Sequence, residues 1–388
     1  MSNSYTKTDD RGLLQRLGGA FKGILVGLLM FIAAFPLIFW NESRAISTHQ
    51  ALEEGQGAVV SVEADAIDPD NEGELIHVTG DVTVSDALSD PVFGVTESDV
   101  IRLRRTVEMY QWEESQRTER RTAADGSEER VTVYTYEETW SDRLIDSDRF
   151  EESGYTNPSS MPYDSETIDQ SEATLEAFTL SSRYVEMFDD FTSRSVSSDD
   201  LDQVEASGFQ VHEGQFYTSN TPTNPEIGDV RVRFDYVPAQ SATVVAAQSN
   251  SGFSPYITSN NNELEFVRTG SVSADAIFSE AIASNRELTW GLRGLALVLM
   301  IGGISLVFKP LAVVADVVPF LGRLARSGIS FISIVIALPL YLIAIALAWL
   351  AARPLLGGAL LVGALALMVG GYMMMQNRSE EEPQPSPA

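Results

Sequence analysis

The chain is 388 residues long and carries 55 acidic against 26 basic side chains, a formal net charge of −29, with no cysteine. Without cysteine there are no disulfides, thiolate zinc sites, iron–sulfur clusters or thiol nucleophiles. Nucleic acid is excluded as a partner, because neutralising phosphates requires a basic face.

In chain order, residues 1–22 contain Lys7, Arg11, Arg16 and Lys22 and are expected to be a cytoplasmic segment. Residues 23–40 (GILVGLLMFIAAFPLIFW) carry no charge over 18 positions and predict a first membrane span. It is expected to be a signal anchor, since Phe39-Trp40-Asn41-Glu42 is a poor cleavage site. Gly19, Gly23 and Gly27 stand four apart, so one helical stripe is free of side chains and suits close helix packing.

Residues 41–288 are expected to form an α+β domain. They hold 49 carboxylates, 16 arginines and no lysine. A salt-adapted protein needs such a surface to stay hydrated; an acidic surface that recruits cations or basic partners is the alternative. Residues 101–111 alternate, with Ile101, Leu103, Val107 and Met109 on one face and Arg102, Arg104, Glu108 and Tyr110 on the other, and Arg105 interrupts the apolar row. Residues 131–140 (VTVYTYEETW) are a second β-rich run, and Asp125-Gly126 between the two marks a hairpin turn. Arg104 and Arg105 are expected to pair with carboxylates along this hairpin while Met109, Tyr110 and Trp112 pack, making the stretch scaffold first and contact surface second. Residues 171–191 carry Leu175, Phe178, Tyr184, Val185 and Phe188 at helical intervals, and residues 273–288 predict a helix capped by Ser273. Residues 72–104 and 213–234 echo each other as strand, loop, strand, which points to a duplicated unit.

Three further spans are predicted at residues 289–308, 327–352 and 354–375. In the first of these the charge-free core covers 15 residues, about 22 Å of helix, so Arg293 must reach the membrane boundary or face protein. Residues 309–326, interrupted by Pro310, Asp316 and Pro319, read as a cytoplasmic interfacial loop. Arg353-Pro354 predicts a tight hairpin between the last two spans. Ala359 with Gly363 and Ala366 with Gly370 repeat the small-residue interval, and residues 376–388 are an acidic cytoplasmic tail. Four basic residues precede the first span and only Arg44 closely follows it, while Lys309, Arg323 and Arg326 lie in the interfacial loop. Both termini are therefore expected in the cytoplasm, with the acidic domain periplasmic or extracellular, or lumenal in a eukaryote.

Several short stretches carry a resemblance when taken in order. They are Asn41-Glu42-Ser43-Arg44-Ala45; Asn71-Glu72-Gly73 with Leu75 and His77; Leu88-Ser89-Asp90-Pro91 with Phe93-Gly94-Val95; and Leu103-Arg104-Arg105 with Val107 through Trp112. Asn157-Pro158-Ser159 with Met161, Gly228-Asp229 with Arg231-Val232, Thr289-Trp290-Gly291-Leu292-Arg293 and Arg353-Pro354-Leu355 complete the series. On these the chain resembles the transmembrane protein 43 (LUMA) family across nearly its full length. The resemblance implies a multi-pass protein of internal membranes; animal members sit in the endoplasmic reticulum and inner nuclear membrane, associate with themselves and with envelope proteins, and organise membrane protein complexes. It implies no catalytic residues. Ser43 stands where the family motif has glycine, lysine is nearly absent, and the tail is acidic and proline-containing. The salt-adapted composition points to a prokaryotic member, for which nuclear partners are irrelevant.

His49, His77 and His212 are widely spaced, with no HExxH pair, GxSxG, phosphate-binding loop or dinucleotide fingerprint. His77 is expected to be solvated or hydrogen-bonded on a strand rather than catalytic. No cofactor, metal site or catalytic residue is assigned. The expected function is a non-enzymatic organiser that contacts membrane lipids, self-associates and binds other membrane proteins. A transporter or channel is disfavoured by spans with almost no ionisable lining, and an envelope enzyme using exposed carboxylates with a divalent metal is the runner-up.

Overall fold

A computed structural model describes residues 4–11, 13–122, 128–201, 208–218, 221–315, 319–350 and 354–380. The chain is mixed α and β and divides into two compact units. One comprises Met1–Lys7, Ala51–Thr118 and Thr132–Ser279; the other comprises Thr8–Gln50, Glu119–Val131 and Glu280–Ala388. Its helices are α1 (Leu13–Ala58), α2 (Ser182–Val185), α3 (Ser198–Leu201), α4 (Ala274–Ala315), α5 (Pro319–Leu350) and α6 (Pro354–Glu380).

Among the described residues, Lys22–Ala58, Ala274–Lys309 and Ser330–Leu350 are long and apolar enough to cross a membrane, and the apolar segment Leu355–Gly370 is shorter. At 1.5 Å per residue that fourth segment measures about 24 Å, less than the roughly 30 Å of a hydrocarbon core. Helix α1 is 46 residues long, about 69 Å on the same rise, and contains Pro36. Proline is tolerated in such a helix where neighbouring helices relieve the lost hydrogen bond. Helix α4 starts where Ser273 was expected to cap it, Oγ accepting from Ala276 N at 3.3 Å, and continues without a break to Ala315. Most of the expected interfacial loop is thus taken up by the end of α4 and the start of α5. Asp125-Gly126, Asp316 and Arg353 lie outside the described residues.

Two large sheets dominate the first unit, beside two two-stranded ones. In the larger, the strands run in the order Ser4–Arg11, Glu128–Ser141, Val100–Thr122, Val230–Pro238, Gln215–Tyr217, Gln210–His212, with Thr192–Arg194 and Glu166–Asp169 added at the sides. The hairpin expected from residues 101–140 is present, and its long strand alternates as predicted: Ile101, Leu103, Val107 and Met109 are buried. Val230–Pro238 pairs antiparallel with it, Val232 opposite Val107 and Phe234 opposite Arg105. Phe93, Phe216 and Phe234 fill the core beneath, Phe93 stacking on Phe216 at 5.8 Å. Burying each such ring stabilises by about 1.5–3 kcal/mol relative to exposure.

In the second sheet, Ser241–Ser249 pairs with Leu75–Thr83, Phe266–Thr269 and Gly252–Ser254. Gly252–Ser254 reaches Phe178–Ser181, which pairs with Glu172–Leu175, and this returns to Leu75–Thr83, so the pairings close into a ring. Ile76, Val78, Leu175, Phe178, Leu180 and Val244 line its core. The helix expected at residues 171–191 is therefore corrected. Ala173, Leu175, Phe178 and Leu180 are buried on two short strands, and Glu176 at φ 51° makes the turn between them. Only Ser182–Val185 is helical there. The apparent helical spacing came from a strand period of two broken by a tight turn.

The sequence echo also resolves differently from a duplication. Leu75–Thr83 and Val100–Thr122 belong to different sheets, whereas Gln215–Tyr217 and Val230–Pro238 are neighbours in one. What the two copies share is a turn glycine at positive φ, Gly73 at 81° and Gly214 at 73°.

Candidate functional site

Two constellations gather the side chains singled out above, one in each unit. In the second unit, Glu42 on α1 is 1% exposed and meets Arg293 on α4 in a bidentate pair, Nε to Oε1 at 2.7 Å and an Nη to Oε2 at 2.6 Å. Trp349 on α5 donates its indole N–H to the same carboxylate at 2.5 Å. The guanidinium lies 4.7 Å from the Trp290 ring centroid and 5.5 Å from that of Trp349. One turn along, Asn41 donates to Thr289 O, and Arg44 donates to Asn285 Oδ1 at 2.9 Å and Thr289 Oγ1 at 3.1 Å. Asn285 donates back to Ala45 O at 3.0 Å. Arg293 thus faces protein, one of the two outcomes its position in a short span allowed.

The same two helices also approach closely at Gly27 and Gly303. A methyl group built on Gly27 would sit 2.6 Å from Gly303 O, and one on Gly303 would sit 2.8 Å from Phe31 N. Gly23 is looser: a methyl group built there would lie 4.0 Å from Leu306 Cδ2. The surroundings of Gly19 lie outside the described residues. On α6, Ala359 lines a cavity, Ala366 is exposed, and Gly363 and Gly370 face open space. Gly357 packs tightly instead: a methyl group built there would sit 2.9 Å from Ala346 O. Gly27→Ala is expected to destabilise by about 1–3 kcal/mol, the range for overpacking a close contact. Gly363→Ala should leave stability unchanged. Unfolding of both purified variants in detergent checks the contrast, and equal losses would contradict it.

In the first unit, Arg105 is 3% exposed. It pairs with the fully buried Asp90, donates to Glu166 Oε2 at 3.0 Å and to Asp164 O at 2.9 Å, and lies 5.7 Å from the Phe93 ring. Asp90 reaches this place because it heads a turn, its carboxylate accepting from Val92 N and Phe93 N at 3.0 and 2.7 Å, as aspartate does where it replaces a backbone acceptor. Arg104 points to the other face, pairs with Asp235 at 3.1 Å, and lies over Phe191 at 3.9 Å. Tyr110 donates to Glu138, and desolvation together with that carboxylate raises its phenol. Trp112 is held through its backbone by Asn157, which accepts from its N–H at 2.7 Å and donates to its carbonyl at 2.9 Å, imitating a neighbouring strand. Tyr155 stacks on Tyr136 at 4.0 Å and meets Trp112 edge-on at 4.8 Å. His77 is half-buried, bonded to Val272 O at 2.8 Å and to Ser61 at 3.3 Å.

Sequence reasoning singled out neither Asp200 nor Arg194. Asp200 is held near a pKa of about 2 by Arg194, with the Ser197 amide and hydroxyl assisting against burial. Its folded value lies below the ordinary 3.8, so this pair stabilises fully above that pH and is lost as pH falls through about 2, a contribution of about 2 kcal/mol. Asp200→Asn should flatten the acid limb of unfolding between those values; an unchanged limb would contradict the assignment.

The sequence also missed that Glu42, Arg293 and Trp349 belong together and that Gly27 meets Gly303. The available signal was charge: one acid just past the first apolar run and one arginine just inside the second.

The family model for Transmembrane protein 43 matches residues 109–354. Transmembrane protein 43 of Homo sapiens is 35% identical over 370 residues, covering 92% of this chain and 90% of the relative. That of Mus musculus is 35% identical over 393 residues, covering 95% and 96%. The Drosophila melanogaster homolog is 29% identical over 346 residues, covering 87% and 91%. No solved structure matches the chain. It is an integral membrane protein with several candidate spans, and it belongs to the transmembrane protein 43 family.

Proposed function

We propose that the protein is a non-enzymatic organiser of membrane protein complexes, which self-associates and engages other membrane proteins through its large acidic domain. The observation that supports this reading is where its ionic groups are spent. Arg105 is committed to Asp90 and Glu166, and Glu42 to Arg293 and Trp349, each in a buried pair that fixes elements together. Satisfied buried networks rigidify a structure and specify a unique packing. Mild crosslinking in native membranes tests the reading: adducts between copies and with other membrane proteins are expected, and a chain recovered only as monomer would overturn it.

In this reading four helices cross the membrane, both termini are cytoplasmic, and the acidic domain lies on the far side, following the basic residues before the first span. One feature of the fold conflicts with that orientation. Ser4–Arg11 pairs with Glu128–Ser141 and Lys7 with Glu151 at 2.5 Å, contacts that a bilayer crossed by residues 23–40 would separate. Taking the hairpin's exposed Glu113, Arg117 and Glu119 through hydrocarbon would cost about 2.5 kcal/mol or more for each charge. On this reading the membrane-inserted protein keeps its N-terminus in the cytoplasm and forgoes this strand pair.

A further inference from the structure

We infer that α4, α5 and α6 form a specific site for one acyl chain of a zwitterionic membrane lipid, a site that goes beyond the organising role. A cavity of about 430 Å³ opens between these helices, within the size range of small-ligand pockets. Its long wall is aliphatic, made by Leu342, Ile345, Leu356, Ala359 and Leu360. Its polar groups come from Arg293, Tyr341 and the two tryptophans, Trp290 and Trp349. An apolar slot with a few convergent polar groups is the form of a site for an amphiphile.

Three observations select the occupant. The walls belong to apolar helices, so the medium that adjoins the slot is lipid. Trp290 is 64% exposed and lies beside Arg293, the pairing of aromatic ring and cation that marks the headgroup level. The Arg293 charge is already balanced by Glu42, so the polar end carries no net charge and favours a headgroup of none. Lipid ester or phosphate oxygens accept from the guanidinium and phenol while the chain lies along Leu342 and Ile345. This differs from ordinary solvation of α6, whose Val362, Leu365 and Val369 are exposed without enclosure.

The test uses full-length protein in nanodiscs containing phosphatidylcholine with a photoreactive acyl chain, and maps the labelled residues by mass spectrometry. Labelling at Leu342, Ile345, Leu356 and Leu360 should exceed that at Val362, Leu365 and Val369 by fivefold or more. Filling the slot by Ala359→Trp should remove that excess without changing labelling of the exposed face. On the wild-type protein, tenfold unlabelled phosphatidylcholine should abolish the excess and tenfold phosphatidylglycerol should not. Equal labelling of slot and exposed face, an excess that survives Ala359→Trp in folded protein, or equal competition by the anionic lipid would each overturn the inference.

Discussion

Glu42→Ala is expected to cost about 3–5 kcal/mol of stability, because truncating one partner of a buried pair leaves the other charged and unpaired. Arg293 is only 13% exposed at its side chain and has little access to water. Arg293→Leu should cost a similar amount, since Glu42 is then the stranded charge. Replacing both residues by leucine should recover most of the loss, as apolar substitution of an entire buried pair is often neutral. Denaturant unfolding of the four proteins in one detergent gives the coupling energy directly. A coupling above about 2 kcal/mol is expected; additive single losses would show that the pair does not hold α1 to α4. Glu42→Gln should fall between, keeping an acceptor for Trp349 while losing the charge.

Arg105→Ala carries the second large effect, again about 3–5 kcal/mol, in the other unit. Its removal strands Asp90, whose carboxylate has no solvent exposure, and leaves a space against Phe93. Arg105→Lys should rescue only part of the loss, because one ammonium cannot reproduce a planar fork that serves Asp90, Glu166 and Asp164 O together. Arg104→Ala, by contrast, should cost no more than about 1 kcal/mol, since Arg104 is 38% exposed at its side chain and its ion pair is partly solvated. Comparing the unfolding midpoints of the three variants checks the order. If Arg104 proved as costly as Arg105, the distinction between a buried and a surface arginine would fail.

The contrast between these two arginines shows what the sequence carried. Strand alternation placed Arg104 outward and Arg105 in the apolar row, and the structure keeps both positions. The partner of Arg105 was not legible, because Asp90 comes from a turn 15 residues earlier and nothing local in the sequence links the two. The same holds in the helices. The apolar runs were read from composition alone, but helical stripes of glycine do not say which helix they meet. Gly27 meets Gly303, while a methyl group on Gly363 or Gly370 would meet no atom of the described residues within 4 Å. Residues 171–191 misled because short strands joined by a two-residue turn imitate helical spacing over so few positions.

The proposed function places the acidic domain across a membrane from the N-terminus. The chain has no cysteine, so single cysteines at Ser2 and at the exposed Ser153 report position without background. Membrane-impermeant maleimide applied to intact cells or spheroplasts should label Ser153→Cys at once and Ser2→Cys only after permeabilisation. Labelling of both positions without permeabilisation would contradict the orientation and favour the strand pairing of Ser4–Arg11 with Glu128–Ser141 in its place.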